Sequence, residues 1–160
     1  MSKVLYPGSF DPLTKGHTNI IEQATHIFEE VVIAVLINRS KNLPLFSPNE
    51  RLQMISELYK DFSNIKVVKG EGTATELASL YGCRAILRGI RDTKDLEAEQ
   101  KLAWATSRFS NDTIKTCILL PDSAYQFLSS SVVKEIHNVN EDISDLVDPV
   151  IYQKILERSA

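Results

Sequence analysis

Five short runs of apolar residues alternate along the chain with longer stretches in which apolar residues recur at helical spacing. The runs are rich in Val, Ile and Leu, and most are apolar at consecutive positions, which is typical of strands buried on both faces of a parallel sheet. They cover residues 3–7, 31–38, 65–70, 84–90 and 115–122. The pattern therefore predicts five parallel strands.

Helices are predicted between and after these runs. The first carries Ile20, Ile21 and Ala24 on one face. The second begins at Ser47, a good N-cap, with Pro48 at the first helical position and a glutamate three residues after the cap. Helices are expected over about 16–28, from 47 onward, over 73–81 and over about 93–108, with two more beginning within 129–138 and near 148–149.

This alternation predicts an α/β protein, a Rossmann-like three-layer fold with a five-stranded parallel sheet. We expect residues 1–160 to form a single domain. In such sheets ligands bind beyond the carboxyl ends of the strands. Three stretches lie at predicted strand ends and a fourth follows the last strand, so a site is expected within residues 6–17, 38–43, 88–92 and 121–131.

Composition narrows the function classes. The 160 residues are 43% hydrophobic and carry a formal net charge of −3, which argues against broad, phosphate-driven binding of nucleic acid. No apolar segment is long enough to span a membrane and the amino terminus has no apolar signal region, so we expect a cytoplasmic protein without membrane contact. Cys83 and Cys117 lie in apolar runs and are expected to be buried free thiols. No Cys/His spacing predicts a metal site.

The stretch YPGSFDPLTKGH, residues 6–17, joins the first predicted strand to the first helix. Gly8 would allow a tight turn and a close approach to the backbone. Thr14 is a plausible N-cap, which places His17 at about the third helical position. A phosphate there would meet backbone N–H groups and an imidazole together. The alternative is a plain strand-to-helix turn with a capping threonine and a surface histidine.

Several separated motifs resemble one family. YPGSFDPLTKGH resembles the Thr/His-x-Gly-His signature of the nucleotidylyltransferase superfamily, and LSSSVVKE, residues 128–135, resembles its second element. With LRGIRDTKDLEAE at residues 87–99 and the Ser40-Lys41 pair, nearly the whole chain resembles bacterial phosphopantetheine adenylyltransferases. The resemblance implies transfer of the adenylyl group of ATP to 4′-phosphopantetheine, with Mg²⁺ arriving on ATP. It also implies a homohexamer, with coenzyme A as a possible feedback ligand.

The resemblance further implies roles for individual residues. His17 would stabilise the transition state, with Lys41 and Arg91 as further catalytic residues. ATP would contact Ser9, Phe10, His17, Gly89, Ile90, Arg91, Glu99, Tyr125, Gln126, Phe127, Leu128, Ser129, Ser130 and Ser131. Phosphopantetheine would contact Ser9, Lys41, Ala74 and Arg88.

Residue chemistry leaves simpler interpretations open for several of these positions. Arg88 and Arg91 flank Gly89 and could clamp phosphates with forked hydrogen bonds, or form surface salt bridges with Asp92 or Asp95. A serine before a helix is a common cap, although three in succession also offer donors for a phosphate. A lysine in a loop is often only solvated.

Two other functions remain alternatives. One is a different nucleotidylyltransferase of the same superfamily, for example one that acts on nicotinamide mononucleotide. The other is a non-catalytic sensor of nucleotides or coenzyme A on the same fold. Nucleotidyl transfer needs positioned cations and N–H donors rather than a nucleophilic triad, so turnover, not binding, separates the enzyme from the sensor.

The Lys41 assignment can be tested directly. Lys41→Ala is expected to weaken binding of 4′-phosphopantetheine more than binding of ATP, because the resemblance places this cation on the acceptor. Isothermal titration calorimetry with each substrate measures both affinities. A larger loss for ATP would contradict the assignment.

Overall fold

Strands and helices alternate throughout the computed structural model, which describes residues 2–37 and 43–159. The strands are β1 (Lys3–Gly8), β2 (Glu30–Leu36), β3 (Ile65–Gly70), β4 (Ala85–Gly89) and β5 (Lys115–Leu119). The helices are α1 (Lys15–Ile27), α2 (Pro48–Leu58), α3 (Ala74–Leu80), α4 (Thr93–Phe109), α5 (Ser130–Asn138) and α6 (Pro149–Ser159). A short 3₁₀ turn, Ser123–Tyr125, lies between β5 and α5. The predicted site residue Lys41 lies outside the described residues.

The five strands form one parallel sheet in the order β3-β2-β1-β4-β5. This confirms the predicted fold class. Chain order runs outward from β1 to β3 on one side and then resumes at β4 on the other, so the switch point lies between β1 and β4. Ligands of open α/β sheets bind at such a point.

The pairing of β1 explains why a crevice opens there. β1 pairs with β2 along its whole length, from Lys3 to Gly8. It pairs with β4 only at Val4 and Leu5. Beyond these residues no backbone pairing joins β1 to β4, and ligands of such sheets bind over the carboxyl ends of the strands at this point.

Strand residues alternate between two apolar cores, as a pleated strand requires. Val31, Ile33 and Val35 of β2 pack in the core that contains α1, α2 and α6. Val32 and Ala34 face the smaller core beneath α3. The consecutive apolar residues of the sequence therefore reflect burial on both faces.

Helix starts follow the predicted signals. Ser47 caps α2 by accepting a hydrogen bond from the Glu50 N–H, and the Glu50 carboxylate accepts one from the Ser47 N–H. Gly82, with φ of +68°, follows α3 as the expected stop. The predicted fifth strand ends early, at Leu119 rather than residue 122, because its neighbour β4 ends at Gly89, the partner of Leu119.

Helix α4 carries a large apolar side chain that the core does not cover. The helical spacing of Trp104 favours a place in the core or in a subunit contact, and its 68% exposure excludes the core of this chain and leaves the subunit contact as a prediction. Phe109 and Leu120 are also exposed. Across residues 2–37 and 43–159, no helix combines the length and the hydropathy that a membrane crossing requires.

Two buried charged side chains connect the turn after β1 to the segment before α2. Asp11 accepts hydrogen bonds from the backbone N–H groups of Leu45 and Phe46, at 2.9 and 2.8 Å. Arg51, which is 4% exposed, donates from Nε to the Phe46 carbonyl at 3.1 Å and from Nη1 to the Ser9 carbonyl. A third bond joins Nη1 to the carboxyl end of β2. The guanidinium thus holds three segments around the crevice.

Arg51→Met should lower the free energy of unfolding by about 2–4 kcal/mol, because it leaves buried carbonyl oxygens without a donor. Urea denaturation measures the change. Arg158→Met is the matched control, since this exposed arginine stacks on Phe46 and pairs with Glu50. We expect the control to lose less than about 1 kcal/mol. An equal loss in both variants would contradict the role given to Arg51.

Candidate active site

A cleft of about 250 Å³ lies at the switch point, over the carboxyl ends of β1 and β4. Its walls come from the turn after β1, the start of α1, the end of β4 and the segment between β5 and α5. The lining residues are Tyr6, Ser9, Thr14, Gly16, His17, Ile20, Gly89, Arg91, Pro121, Tyr125, Leu128, Ser129, Ser130 and Ser131.

His17 is held in the cleft by the N-cap of α1. Thr14 is the cap, as predicted, and its hydroxyl accepts a hydrogen bond from the His17 N–H. In return the Thr14 N–H donates to Nδ1 of His17 at 3.0 Å. Because Nδ1 accepts, a neutral imidazole carries its proton on Nε2. The structure therefore assigns His17 as a hydrogen-bond donor through Nε2.

The surroundings of His17 favour the neutral ring. Burial, followed by the positive charge of Arg91, lowers the pKa of His17 from 6.5 to about 4. The ring also packs edge to face against Phe10, with centroids 5.2 Å apart. At neutral pH the cleft therefore presents an oriented, uncharged N–H donor.

The turn after β1 differs from the expectation for Gly8. The positive φ falls on Phe10, at +48°, and not on Gly8. Gly8 is needed for a different reason, since a Cβ on it would lie 2.9 Å from the Phe10 ring. Phe10 itself is 2% exposed and does not line the cleft. Any contact it made with ATP would come from its backbone.

Helix α1 offers fewer backbone donors than its position suggests. The Lys15 N–H donates to the Leu146 carbonyl at 2.9 Å, and the His17 N–H is used by Thr14. Within the described part of the chain, only the Gly16 N–H of this first turn lacks an intramolecular partner. A phosphate at α1 would therefore meet one amide and the imidazole.

Helix α5 supplies further donors on the opposite wall. Ser129 caps it by accepting from the Val132 N–H at 3.2 Å, and the Ser130 hydroxyl donates to the Pro12 carbonyl at 2.8 Å. Two of the three serine hydroxyls are thus structural. The N–H groups of Ser130 and Ser131 have no intramolecular partner among residues 2–37 and 43–159, and both residues line the cleft. Amides at a helix start are good phosphate ligands.

Arg88, near the end of β4, and Arg91, which follows the strand, are both paired with carboxylates. Arg91 contacts Asp95 through Nε at 3.0 Å, which is one of the two salt bridges considered from the sequence. Arg88 lies 3.2 Å from Glu99, although this pair is not aligned as a hydrogen bond. Burial raises the pKa of Glu99, and Arg88 opposes that shift. A phosphate bound by Arg91 would compete with Asp95 for the guanidinium.

The cleft gathers many of the predicted residues and leaves others outside. Ser9, His17, Gly89, Arg91, Tyr125, Leu128 and the three serines of residues 129–131 line it. Phe10, Ala74, Arg88, Ile90, Glu99, Gln126 and Phe127 do not. Tyr6, Thr14, Gly16, Ile20 and Pro121 line it without having been predicted as site residues. Ile20 could have been found, because it lies one helical turn after His17.

Comparison with known proteins shows to which class of enzyme this chain is related. A family model described as cytidylyltransferase-like matches residues 5–136. A protein from Vibrio parahaemolyticus assigned as a nicotinate-nucleotide adenylyltransferase is 16% identical, with a TM-score of 0.64 over 98% of this chain and 99% of that one. A lipopolysaccharide core biosynthesis protein from Thermoplasma volcanium is 22% identical, with a TM-score of 0.57 over 76% and 97%. These two likenesses concern the fold alone, and the family match defines a nucleotidyltransferase.

Curated relatives define the family more closely. Phosphopantetheine adenylyltransferases from Finegoldia magna, Heliobacterium modesticaldum and Symbiobacterium thermophilum are 43%, 39% and 40% identical to this chain. The matches cover 98%, 99% and 100% of this chain and 96%, 93% and 98% of those proteins. The chain belongs to the phosphopantetheine adenylyltransferase family. The family expected from the sequence motifs is confirmed.

The protonation state of His17 gives a pH prediction. With a pKa of about 4, His17 should stay in the Nε2–H form from pH 8 down to roughly pH 5. The unfolded chain binds this proton near pH 6.5, so the contribution of His17 to stability is present above pH 6.5 and is lost as pH falls toward 4. Imidazole ¹⁵N–¹H correlation spectra, assigned with His17→Ala, measure the tautomer. A titration midpoint near 6.5 would contradict the prediction.

Proposed function

We propose that this chain transfers the adenylyl group of ATP to 4′-phosphopantetheine, giving dephospho-coenzyme A and pyrophosphate. The observation that carries the proposal is the set of phosphate donors around the cleft. Two helix starts, an imidazole locked as an Nε2–H donor and the Arg91 guanidinium surround one space at the switch point. Identity near 40% with phosphopantetheine adenylyltransferases over nearly the whole chain supports the choice of reaction.

The reaction needs no covalent intermediate. A phosphate oxygen of 4′-phosphopantetheine attacks the α-phosphorus of ATP, the bond to the β-phosphate oxygen breaks on the opposite side, and pyrophosphate leaves. Charge on the transferred group and on the leaving group must be stabilised. His17 donates from Nε2 to these oxygens, and Arg91 exchanges Asp95 for a phosphate. The Gly16, Ser130 and Ser131 amides hold the remaining phosphate oxygens.

Mg²⁺ enters as part of the substrate Mg-ATP. Among the described residues, the cleft lining contains hydroxyls, amides, an imidazole and a guanidinium but no carboxylate. No group of three or more His, Cys, Asp or Glu side chains in this part of the chain is arranged to hold a metal ion. The proposal therefore has the phosphates of ATP, rather than carboxylates among the described cleft residues, hold the magnesium ion.

The acceptor is assigned to the side of the cleft nearer β2 and α3. Ser9, which lines the cleft, would contact both substrates. Ala74 is at the start of α3, and Arg88 is near the end of β4. Lys41 would complete this subsite. The Arg88 and Glu99 pair places the proposed acceptor cation 3.2 Å from the proposed nucleotide contact, so the two substrates would meet at this pair.

The proposal also covers the domain organisation, the cellular location and the oligomeric state of the protein. The chain forms one domain over residues 1–160, works in the cytoplasm, and assembles as a homohexamer. The exposed Trp104, Phe109 and Leu120 support a subunit interface on α4 and the end of β5. Light scattering should give a mass six times that of the 18.0 kDa chain.

Coenzyme A, which shares the pantetheine arm, is a feedback ligand of the same cleft.

Pyrophosphate release from Mg-ATP tests the reaction. The acceptors compared are 4′-phosphopantetheine, nicotinamide mononucleotide, glycerol phosphate and buffer alone. Release is expected only with 4′-phosphopantetheine. Release with another acceptor would contradict the substrate, and ATP binding without release would indicate a sensor.

His17→Ala should lower kcat by about 10²- to 10³-fold, because it removes an oriented donor to the transition state. ATP binding, measured by calorimetry, should persist. His26→Ala is the matched control, since it removes an exposed histidine from the same helix. Thermal unfolding shows whether loss of the Nδ1 contact with Thr14 disturbs the fold. A rate near that of the control would remove His17 from the mechanism.

A further inference from the structure

We propose that Asn19 is a positioning residue for ATP. Its side-chain amide, paired with Asp122, holds residues 120–131 at a fixed distance from His17. We name residues 120–131 the post-β5 segment. This inference rests on the proposed function, because it assumes that ATP lies between His17 and that segment.

Asn19 and Asp122 are joined by two hydrogen bonds of opposite direction. Nδ2 of Asn19 donates to the Asp122 carboxylate at 2.7 Å, and Oδ1 of Asn19 accepts from the Asp122 N–H at 2.9 Å. Rotating the amide by half a turn would set oxygen against the carboxylate and N–H₂ against the N–H. The pair therefore has one favourable orientation.

Gln23, one turn later on α1, extends the same contact. Its Nε2 donates to Oδ1 of Asn19 and to the carbonyl of Leu120, each at 3.0 Å. Asn19 is 8% exposed, so its polar atoms need these partners. The start of the post-β5 segment is thus tied to α1 at both Leu120 and Asp122.

The far end of the segment is tied to the turn before α1. The Ser130 hydroxyl donates to the Pro12 carbonyl at 2.8 Å. Between the two ties, the Tyr125 N–H donates to the Asp122 carbonyl and the Leu128 N–H to the Tyr125 carbonyl. The post-β5 segment, which carries the Ser130 and Ser131 amides, is therefore fixed to α1 at one end through Asp122.

Helix α1 carries both His17 and Asn19. It therefore positions the imidazole on one side of the proposed ATP site and the post-β5 segment on the other. His17 presents its imidazole to the cleft, while Asn19 fixes the opposite wall from two residues away. Releasing Asp122 would let the Tyr125 and Leu128 wall move relative to the imidazole. ATP binding would weaken more than acceptor binding.

The amide at position 19 and the carboxylate at position 122 determine which substitutions test the proposal. A carboxylate at position 19 would face the Asp122 carboxylate at hydrogen-bond distance, which is repulsive unless the pair shares a proton. Exchanging the two groups restores complementarity. In Asn19→Asp/Asp122→Asn, the new carboxylate can accept from the backbone N–H of residue 122, from Gln23 and from the new amide.

Four variants of the full chain are compared with wild type: N19D, D122N, N19D/D122N and the charge-matched control N64D. Asn64 directly precedes β3, an edge strand, so it lies at the amino end of the strands, whereas the cleft lies over the carboxyl ends of β1 and β4. Calorimetry gives the Kd of Mg-ATP, steady-state rates give KM for each substrate, and thermal unfolding reports folding.

N19D should weaken ATP binding by roughly ten- to hundredfold at pH 8, the cost of a lost charge-assisted hydrogen bond together with repulsion. KM for 4′-phosphopantetheine should change less. D122N should stay within about threefold of wild type, since the Asn19 amide keeps an acceptor. N19D/D122N should recover most of the loss. Lowering the pH to roughly 5.5 should restore N19D in part and leave the double variant unchanged.

The proposal is overturned if N19D behaves like N64D, or if the double variant binds ATP no better than N19D. Equal losses for both substrates would also overturn it. If N19D does not fold, ATP binding by N19D/D122N tests the proposal instead. A folded N19D/D122N variant with weak ATP binding overturns it. Wild-type turnover tests the proposed function separately, because ATP affinity is measured without an acceptor.

Discussion

The carboxylate of Asp11 joins the parts of the chain that form the cleft. It accepts hydrogen bonds from the N–H groups of Leu45 and Phe46, and from the Lys134 ammonium at 3.0 Å. These partners belong to the segment before α2 and to α5, while Asp11 itself follows β1. A buried carboxylate that lost such partners would be strongly destabilising, so these segments are held together. The start of α1 and the start of α5 consequently face each other across one space.

The donors in that space differ in kind, and the difference has a physical reason. Arg91 supplies a permanent cation, and helix starts supply partial positive charge. Burial penalises a charged imidazolium, and the positive charge of Arg91 repels it, so the pKa of His17 is lowered. Under the proposed function, a neutral donor would cost no such repulsion before ATP binds and would strengthen its hydrogen bond as negative charge develops in the transition state. The Thr14 cap makes this possible by occupying Nδ1.

Local patterns in the sequence predicted the parts of the structure that depend on neighbouring residues. Thr14 and Ser47 act as caps because a cap needs only the next helical turn. Patterns of burial predicted all five strands and the α/β class. The positive φ of Phe10 was missed, since the ring packs between Tyr6 and His17 and that contact exists only in the folded turn.

Contacts between distant residues could not be predicted in this way. The Lys15 N–H donates to the Leu146 carbonyl, so the start of α1 offers a ligand fewer backbone donors than its position in the sequence suggests. Asn19 and Asp122 are ordinary polar residues until the fold brings them together. Trp104 occurs at helical spacing in α4, but among the described residues its side chain stays 68% exposed. In each case the sequence identifies the residue but does not show which distant residue it contacts in the folded chain.

The separation between Asp11 and Lys134 also affects how the protein is made. These two residues, which join the turn after β1 to α5, are 123 positions apart. At ordinary translation rates a ribosome takes roughly 6 to 25 seconds to cover that distance. Late in this interval the emerging chain has His17 and Arg91 but still lacks α5, so the cleft has no α5 wall. The donors that line the cleft therefore come together only after residue 134 has been made, and shorter nascent chains lack the enclosed cleft.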